Sequence, residues 1–476
     1  MNKVLPISLL AATLYIHNIA AVSAAPQEHA LLNGPFSKVS DVTAQCLTCH
    51  PQQGEDILRS SHWTWKRQRM MNGSKTLFSK KNGLTTFTIA AGANPSQCLT
   101  CHISTNLLDE RFDPTAAVNI DCLVCHDKTG TYERAEGAPK KDLNLVYIAR
   151  SVGKPSSENC FSCHGTGTEL AGRKIHNGID KDIHLQNDGA GLTCQNCHPS
   201  GDRHAFTREI TSAPGLRQTK ACAVCHTDSP HHQQQLNDHA ELISCKTCHI
   251  PQYATENPAI VSWNWLAPQT PSIHQNIETD APALVKKFGI IQAQYIQPVY
   301  FWDNGNDSIY TRGAKTEKYE TTPLQKPSVR TAQSKIVPFS VSLGTQMIDG
   351  KYRYLIAPTL ANDGTLGMRN NSLDDAAQEG MQKLRLPFSG DADFTSTVTY
   401  RRLNHGVVPA EQALDCMDCH GKKGRIQWPA LGYAMDPWLD REAPAKIKVP
   451  QVQPEETAPI TLPPIRETIL PVEPQG

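Results

Sequence analysis

Cys46-Leu-Thr-Cys49-His50, Cys98-Leu-Thr-Cys101-His102, Cys122-Leu-Val-Cys125-His126, Cys160-Phe-Ser-Cys163-His164, Cys194-Gln-Asn-Cys197-His198, Cys222-Ala-Val-Cys225-His226 and Cys245-Lys-Thr-Cys248-His249 follow one another along the chain, and Cys416-Met-Asp-Cys419-His420 stands alone near the C-terminus. Two thiols at i and i+3 can add to the two vinyl groups of a heme, and the next residue, a histidine, reaches the iron. A lone Cys-x-x-Cys fits a redox dithiol or half a zinc site equally well. Here all sixteen cysteines fall into eight copies, each closed by His, with none left over. A zinc site has no use for that histidine, and a disulfide framework predicts neither it nor the constant spacing. The pattern specifies eight covalently attached heme c groups, with the sixteen cysteines as anchors and the eight motif histidines as proximal iron ligands.

Of the 476 residues 39% are hydrophobic, and the cysteines inside that figure are committed to heme attachment. The seven-motif stretch is thus poor in apolar side chains, so porphyrin faces are expected to supply most of its buried apolar surface. The expected fold is mainly α with large irregular content, a multiheme cytochrome c array, joined to a smaller heme-free segment with some β structure. The expected organisation is a signal peptide over 1–24, a seven-heme domain over 25–250, an aromatic-rich segment over 251–425 ending in the eighth motif, and an extended Pro-rich tail over 426–476.

The N-terminus reads Met1-Asn-Lys3, an apolar run from Val4 to Ala21, then the small-x-small site Val22-Ser-Ala24. This predicts export with cleavage after Ala24, to the periplasmic side where heme c is attached. No later segment approaches the ~20 apolar residues that span a bilayer. The formal charge of +0 and a pI near 7.3 give no sign of a nucleic-acid partner. Sixteen heme propionates would make the mature protein distinctly acidic and occupy many Lys and Arg side chains.

Along the chain, Ile57, Leu58, His62, Trp65 and Met70 at three-to-four spacing predict a helix over Glu55 to Met71. Thr85-Thr-Phe-Thr-Ile89 reads as part of a loop or hairpin. In the heme-free segment Asp349-Gly350 is expected to turn a hairpin between Met347-Ile348 and Tyr352 to Ile356. Ser372 is expected to cap a helix over Asp374 to Leu384. Eight prolines fall between Pro444 and Gly476.

Outside the motifs and the signal ten histidines remain: His29, His62, His176, His184, His204, His231, His232, His239, His274 and His405. Two imidazoles on one iron keep it low-spin and suited to electron transfer, whereas an open or weakly held position admits substrate. His239 lies six residues before Cys245, and His405 stands in a comparable lead-in to Cys416.

The chain resembles the octaheme tetrathionate reductase family of periplasmic multiheme cytochromes. The resemblance runs from about Cys46 to Arg425. It rests on motif count and order, Ser61-His-Trp-Thr-Trp65, Asp121-Cys-Leu-Val-Cys-His-Asp-Lys-Thr-Gly-Thr-Tyr132, Val152-Gly-Lys-Pro-Ser156, Leu236-Asn-Asp-His-Ala240, Cys248-His-Ile-Pro251, Tyr300-Phe-Trp302 and His405 ahead of Ala413-Leu414. It implies seven bis-His hemes and one, at the second motif, with a distal lysine as the active site. By position it implies His62, His176, His184, His204, His231 or His232, His239 and His405 as distal ligands, a count that closes without His29 or His274. The lysine expected after Gly130-Thr-Tyr132 is replaced by Glu133-Arg134, and arginine is a poor iron ligand. Lys128, Lys140 and Lys141 are the nearby substitutes. The resemblance implies a reductase that takes electrons from a periplasmic or membrane-bound donor and delivers them to a small inorganic substrate: tetrathionate, nitrite or hydroxylamine. The alternatives are a conduit with no catalytic site of its own and a hydroxylamine-oxidising enzyme.

Overall fold

The computed structural model describes residues 29–440 apart from 72–73, 80, 85–86, 96–98, 100, 136–137, 141, 166–180, 201–203, 205–221, 266–284, 288–289, 318–319 and 361–371. The expected signal peptide, Cys98, Lys141, His176, His274 and the chain beyond Asp440 therefore lie outside the described residues.

Helices are short. The longest are Val39–Cys49 and Leu373–Lys383, and the motif helices Leu123–His126, Ser157–His164, Cys194–Cys197, Cys245–His249 and Cys416–Cys419 run only 4–8 residues. Local capping explains why helix starts at the motif. Thr193 N–H donates to Asn196 Oδ1 at 2.8 Å, and Asp415 Oδ1 accepts from Met417 N–H and Asp418 N–H at 2.8 and 3.1 Å. One capped turn then places the two cysteines on the same face.

The largest element is a sheet, so "mainly α" describes the motif region and not the whole chain. Its strands are β1 (Arg67–Met71), β2 (Ser74–Phe78), β5 (Ala259–Asn264), β6 (Val285–Lys287), β7 (Ile290–Ala293), β8 (Val299–Asp303), β9 (Ser308–Ile309), β10 (Thr322–Lys326), β11 (Lys335–Asp349) and β12 (Ala392–Arg402), while β3 (Arg134–Ala135) and β4 (Ala138–Pro139) pair separately. The order is β2-β1-β9-β10-β12-β11-β5-β7-β6, with β8 on the first part of β11. Two of its strands come from between the first and second motifs, so the sheet is not confined to the segment after residue 250. The helix expected over Glu55 to Met71 is divided into Pro51–Arg59, Ser61–Thr64 and the strand β1. Trp65 breaks it, in the left-handed region at φ 52°.

Beside the sheet sits the largest side-chain core among the described residues. Trp263, Trp265, Phe87, Met347, Ile356, Ala376, Ala377, Met381 and Leu384 are buried together, and Phe87 stacks on Trp263 at 4.6 Å. The expected cap and turn are both present: Ser372 Oγ accepts from Asp375 N–H, and Asp349 N–H donates to Tyr354 O at 3.0 Å. At Gly380 a Cβ would stand 2.0 Å from Ala357 O, so only glycine allows this helix its approach. Within the segment expected as a tail from residue 426, Ile426, Trp428 and Leu431 are buried against Tyr300, Trp302 and Ile336.

β11 also carries the seventh motif: Ser244 N–H and Thr247 Oγ1 both donate to Ile336 O, at 2.9 Å each. The lead-in to the eighth motif is fastened to the seventh by Val408 N–H to His249 O (2.9 Å) and Leu414 N–H to Cys248 O (3.0 Å). At the far end of β12, Arg402 is buried between Asp303 and Asp307. Burial works against the Asp303 charge, yet Arg402 and Ser328 hold its carboxyl below the ordinary range. That stabilisation is complete above the unfolded carboxyl value of about 3.9 and is lost as pH falls through the lower folded one. Arg402→Met should cost about 3–5 kcal/mol at neutral pH by stranding two buried carboxylates. Denaturant midpoints followed by circular dichroism should show the gap between variant and wild type closing below pH ~4.

Candidate functional site

Seven motif histidines each face a second histidine. The ring centroids are 6.1 Å apart for His50 and His29, 6.2 Å for His126 and His204, 6.3 Å for His164 and His62, and 6.2 Å for His198 and His405. They are 6.0 Å apart for His226 and His184, 6.3 Å for His249 and His231, and 6.3 Å for His420 and His239. Two histidines sharing one iron, with metal–nitrogen bonds of about 2.0–2.1 Å and roughly 1.2 Å from each nitrogen to its ring centre, would have ring centres about 6.4–6.6 Å apart. The seven pairs, at 6.0–6.3 Å, come within a few tenths of an ångström of that distance.

The outer nitrogens are also prepared. His126 Nδ1 donates to Gly153 O at 2.9 Å, His249 Nδ1 to Val408 O at 3.3 Å and His231 Nδ1 to Asn237 Oδ1 at 3.2 Å. His184 Nδ1 meets Asp182 Oδ1 at 2.9 Å and His420 Nδ1 meets Asp436 Oδ1 at 2.6 Å. A proton fixed on Nδ1 leaves Nε2 with its lone pair for the iron and sets the ring's orientation. Asp182 serves two histidines: its other oxygen accepts from Gly406 N–H and Val407 N–H, 2.9 and 3.1 Å away, next to His405. Burial alone would raise the Asp182 carboxyl, but His184 and the backbone donors hold it low.

Further signs of a large apolar cofactor lie in the elements themselves. The helices Ser157–His164, Cys194–Cys197 and Gln234–Leu242 bury none of their own residues. The motif sulfurs lie near one another in a connected line. Cys46 reaches Cys122, Cys160 reaches Cys194 and Cys222 reaches Cys245. Cys125 is close to Cys163, Cys197 to Cys225 and Cys248 to both Cys416 and Cys419. Cys101 joins at the fourth motif, with its sulfur 3.8 Å from Cys163 O. All eight motifs belong to one contiguous array.

The second motif has surroundings of its own. His102 Nδ1 lies 2.9 Å from Ser104 Oγ, and the indole of Trp63 stands 5.5 Å from the His102 ring. Arg134, where the resemblance led one to look for lysine, donates to His102 O at 2.8 Å and Ser104 O at 2.7 Å and pairs with buried Asp121 at 3.3 Å. Tyr132 Oη donates to the same carboxylate at 2.7 Å. Burial raises the Asp121 carboxyl, and Arg134 and Tyr132 oppose that rise. Of the lysine candidates, Lys128 is exposed, its stem over Gly153, and Lys140 pairs with Glu133 at the surface.

One placement differs from the sequence reading, and the structure decides between two alternatives at another. His29, left aside by the count, faces His50. His231 rather than the exposed His232 faces His249. His176 lies outside the described residues. No signal in the sequence marks His29, whereas Asn237, which orients His231, is part of the Leu236-Asn-Asp-His-Ala240 stretch already singled out.

The chain is similar to an octaheme cytochrome c from Shewanella oneidensis, known from a crystal structure, at 33% identity over 89% of this chain and 100% of that one, with a TM-score of 0.77. Residues 261–423 match the family model described as cytochrome c bacterial, and residues 45–127 match that of cytochrome c554 and c-prime. No curated protein matches the chain.

Replacing His29 by Ala should turn one heme from low to high spin with every heme still attached, whereas His232→Ala should leave the spectrum unchanged. Electron paramagnetic resonance of the oxidised variants, with a mass of each, checks both. The matched length, the identity and the continuous motif array together place the chain in the octaheme c-type cytochrome family.

Proposed function

We propose that the protein is an exported periplasmic reductase with eight heme c groups. On this reading it takes electrons from a periplasmic or membrane-bound donor and delivers them to a small sulfur or nitrogen compound, of the tetrathionate, nitrite or hydroxylamine type. The observation that carries the reading is the set of seven facing imidazole pairs along one line of motifs. Heme c, when bound, supplies reversible one-electron chemistry at each motif.

With heme c bound, each of the seven pairs would supply both histidine ligands to one iron, an arrangement suited to electron transfer and not to binding substrate. Chemistry is assigned to the second motif, on the resemblance and on the distinct setting of His102. There Arg134 clamps the backbone on both sides of Ile103, and Trp63 closes one flank. A side-chain amine makes a displaceable distal ligand, because once protonated it has no lone pair for a metal. Freed beside the site, it can then donate a proton or attract an anion. Lys128, Lys140 and Lys141 are the candidates for that amine. Among the described residues no helix is long and apolar enough to cross a membrane.

A conduit with no reaction of its own would use the same seven pairs. To separate the two, Lys128, Lys140 and Lys141 are replaced in turn by Met, and reduction of nitrite, hydroxylamine and tetrathionate by a reduced dye is measured. The reductase reading expects turnover by the wild type and a fall of at least about tenfold in one lysine variant, in keeping with the 10²–10⁴-fold worth of a positioned acid or base. Wild-type protein inert toward all three substrates would leave the conduit; three active variants with wild-type spectra would remove the lysine assignment.

A further inference from the structure

Around the eighth motif the protein wall is aromatic. Trp428 stacks on the His420 ring, 5.2 Å between centroids at 16°. Cys419 and Tyr433 pack against the same cluster of Tyr300, Trp302, Ile426, Trp428 and Leu431. Arg330 lays its guanidinium over Trp302, 3.9 Å from the ring centre. Both Nη1 and Nη2 of Arg330 are shut off from solvent with no hydrogen-bond acceptor among the described residues, and so is Trp428 Nε1. Burial disfavours the Arg330 charge, but a guanidinium stays protonated in proteins. Buried positive charge with no counter-charge is strongly unfavourable, so these donors call for an anionic acceptor.

We propose that Arg330, with Trp428 Nε1, holds a propionate carboxylate of the heme attached at Cys416 and Cys419. The inference rests on the reading that a heme sits between His239 and His420. A carboxylate matches the planar fork of guanidinium, which binds it through two parallel N–H groups. The other source of anionic oxygen is a free oxyanion from solution. The heme is favoured because the three donor nitrogens are closed to solvent, Trp428 belongs to the cluster that also holds Cys419, and Arg330 lies over Trp302 of that cluster.

Removing Arg330 leaves an uncompensated negative charge near the iron, which favours the oxidised state. The test begins with the mass of denatured wild type and Arg330→Gln. Fewer than eight hemes in the wild type would overturn the cofactor reading and the proposal with it. With eight in place, equilibrium redox titration is run in buffer free of added oxyanions. Arg330→Gln should move one heme to a more negative midpoint by about tenfold in its reduction equilibrium, which is 59 mV for a one-electron couple. Trp428→Phe, which keeps the ring and removes the N–H, should shift the same heme in the same direction by less. Arg330→Lys, which keeps the charge, should stay near wild type. Midpoints of Arg330→Gln and Trp428→Phe coinciding with wild type would overturn the proposal alone. So would a wild-type midpoint that moves with added sulfate or nitrate while that of Arg330→Gln does not, since that marks a free-anion site.

Discussion

Two imidazoles that share one iron would have their ring centres held at a nearly fixed separation, and seven histidine pairs in this chain stand 6.0–6.3 Å apart. Most join segments far apart in sequence, as His62 to His164, His126 to His204 and His239 to His420. Bringing such ends together costs loop-closure entropy that grows with separation. Short helices that bury nothing of their own cannot offset it. On the proposed reading the metal–imidazole bonds and the porphyrin faces do, which couples folding of the motif region to cofactor attachment.

The sheet solves a different problem with ordinary means. Its core of Trp263, Trp265, Met347 and Met381 is a side-chain core of the usual kind, and β11 runs from that core to the seventh motif helix. The far end of the array is therefore held by protein, through Ile336 and through the ladder that ties Val408 and Leu414 to the seventh motif. Asp182 belongs to the same scheme, because one buried carboxylate orients His184 and steadies the loop that presents His405. A single side chain thus orients one histidine and holds the backbone beside another, and its loss would be felt at both.

The motifs were legible because thioether attachment demands a local covalent spacing, and their helical turns follow from caps such as Thr193 and Asp415 that adjoin them. The Ser372 cap and the Asp349-Gly350 turn were legible for the same reason, being decided within a few residues. Distal ligands are not local. His29 and His62 lie in neighbouring stretches yet face His50 and His164, and no spacing rule connects either pair. His231 and His232 are adjacent and chemically identical; what separates them is Asn237, which bonds His231 on both backbone and ring. The sheet was underestimated because its longest strand spans 15 residues buried on changing faces and gives no alternating pattern. Its strand β1, between the first and second motifs, was hidden by helical spacing that Trp65 interrupts.

The replacement of an expected lysine by Arg134 finds a physical account in the same terms. A guanidinium offers a rigid fork of donors and no lone pair, so it is unsuited to iron and well suited to carbonyl oxygens. Arg134 uses its fork on His102 and Ser104 and its remaining N–H face on Asp121, and this fixes the strap that carries the second proximal histidine. His102 then has a hydroxyl against its Nδ1, where His184 and His420 have carboxylates. A carboxylate partner makes an imidazole a stronger donor to its metal than a neutral partner does. That neutral partner is shared with His126 and His249, which face the carbonyls of Gly153 and Val408, so what sets the second motif apart is the Arg134 clamp on its backbone and not the partner of its ring.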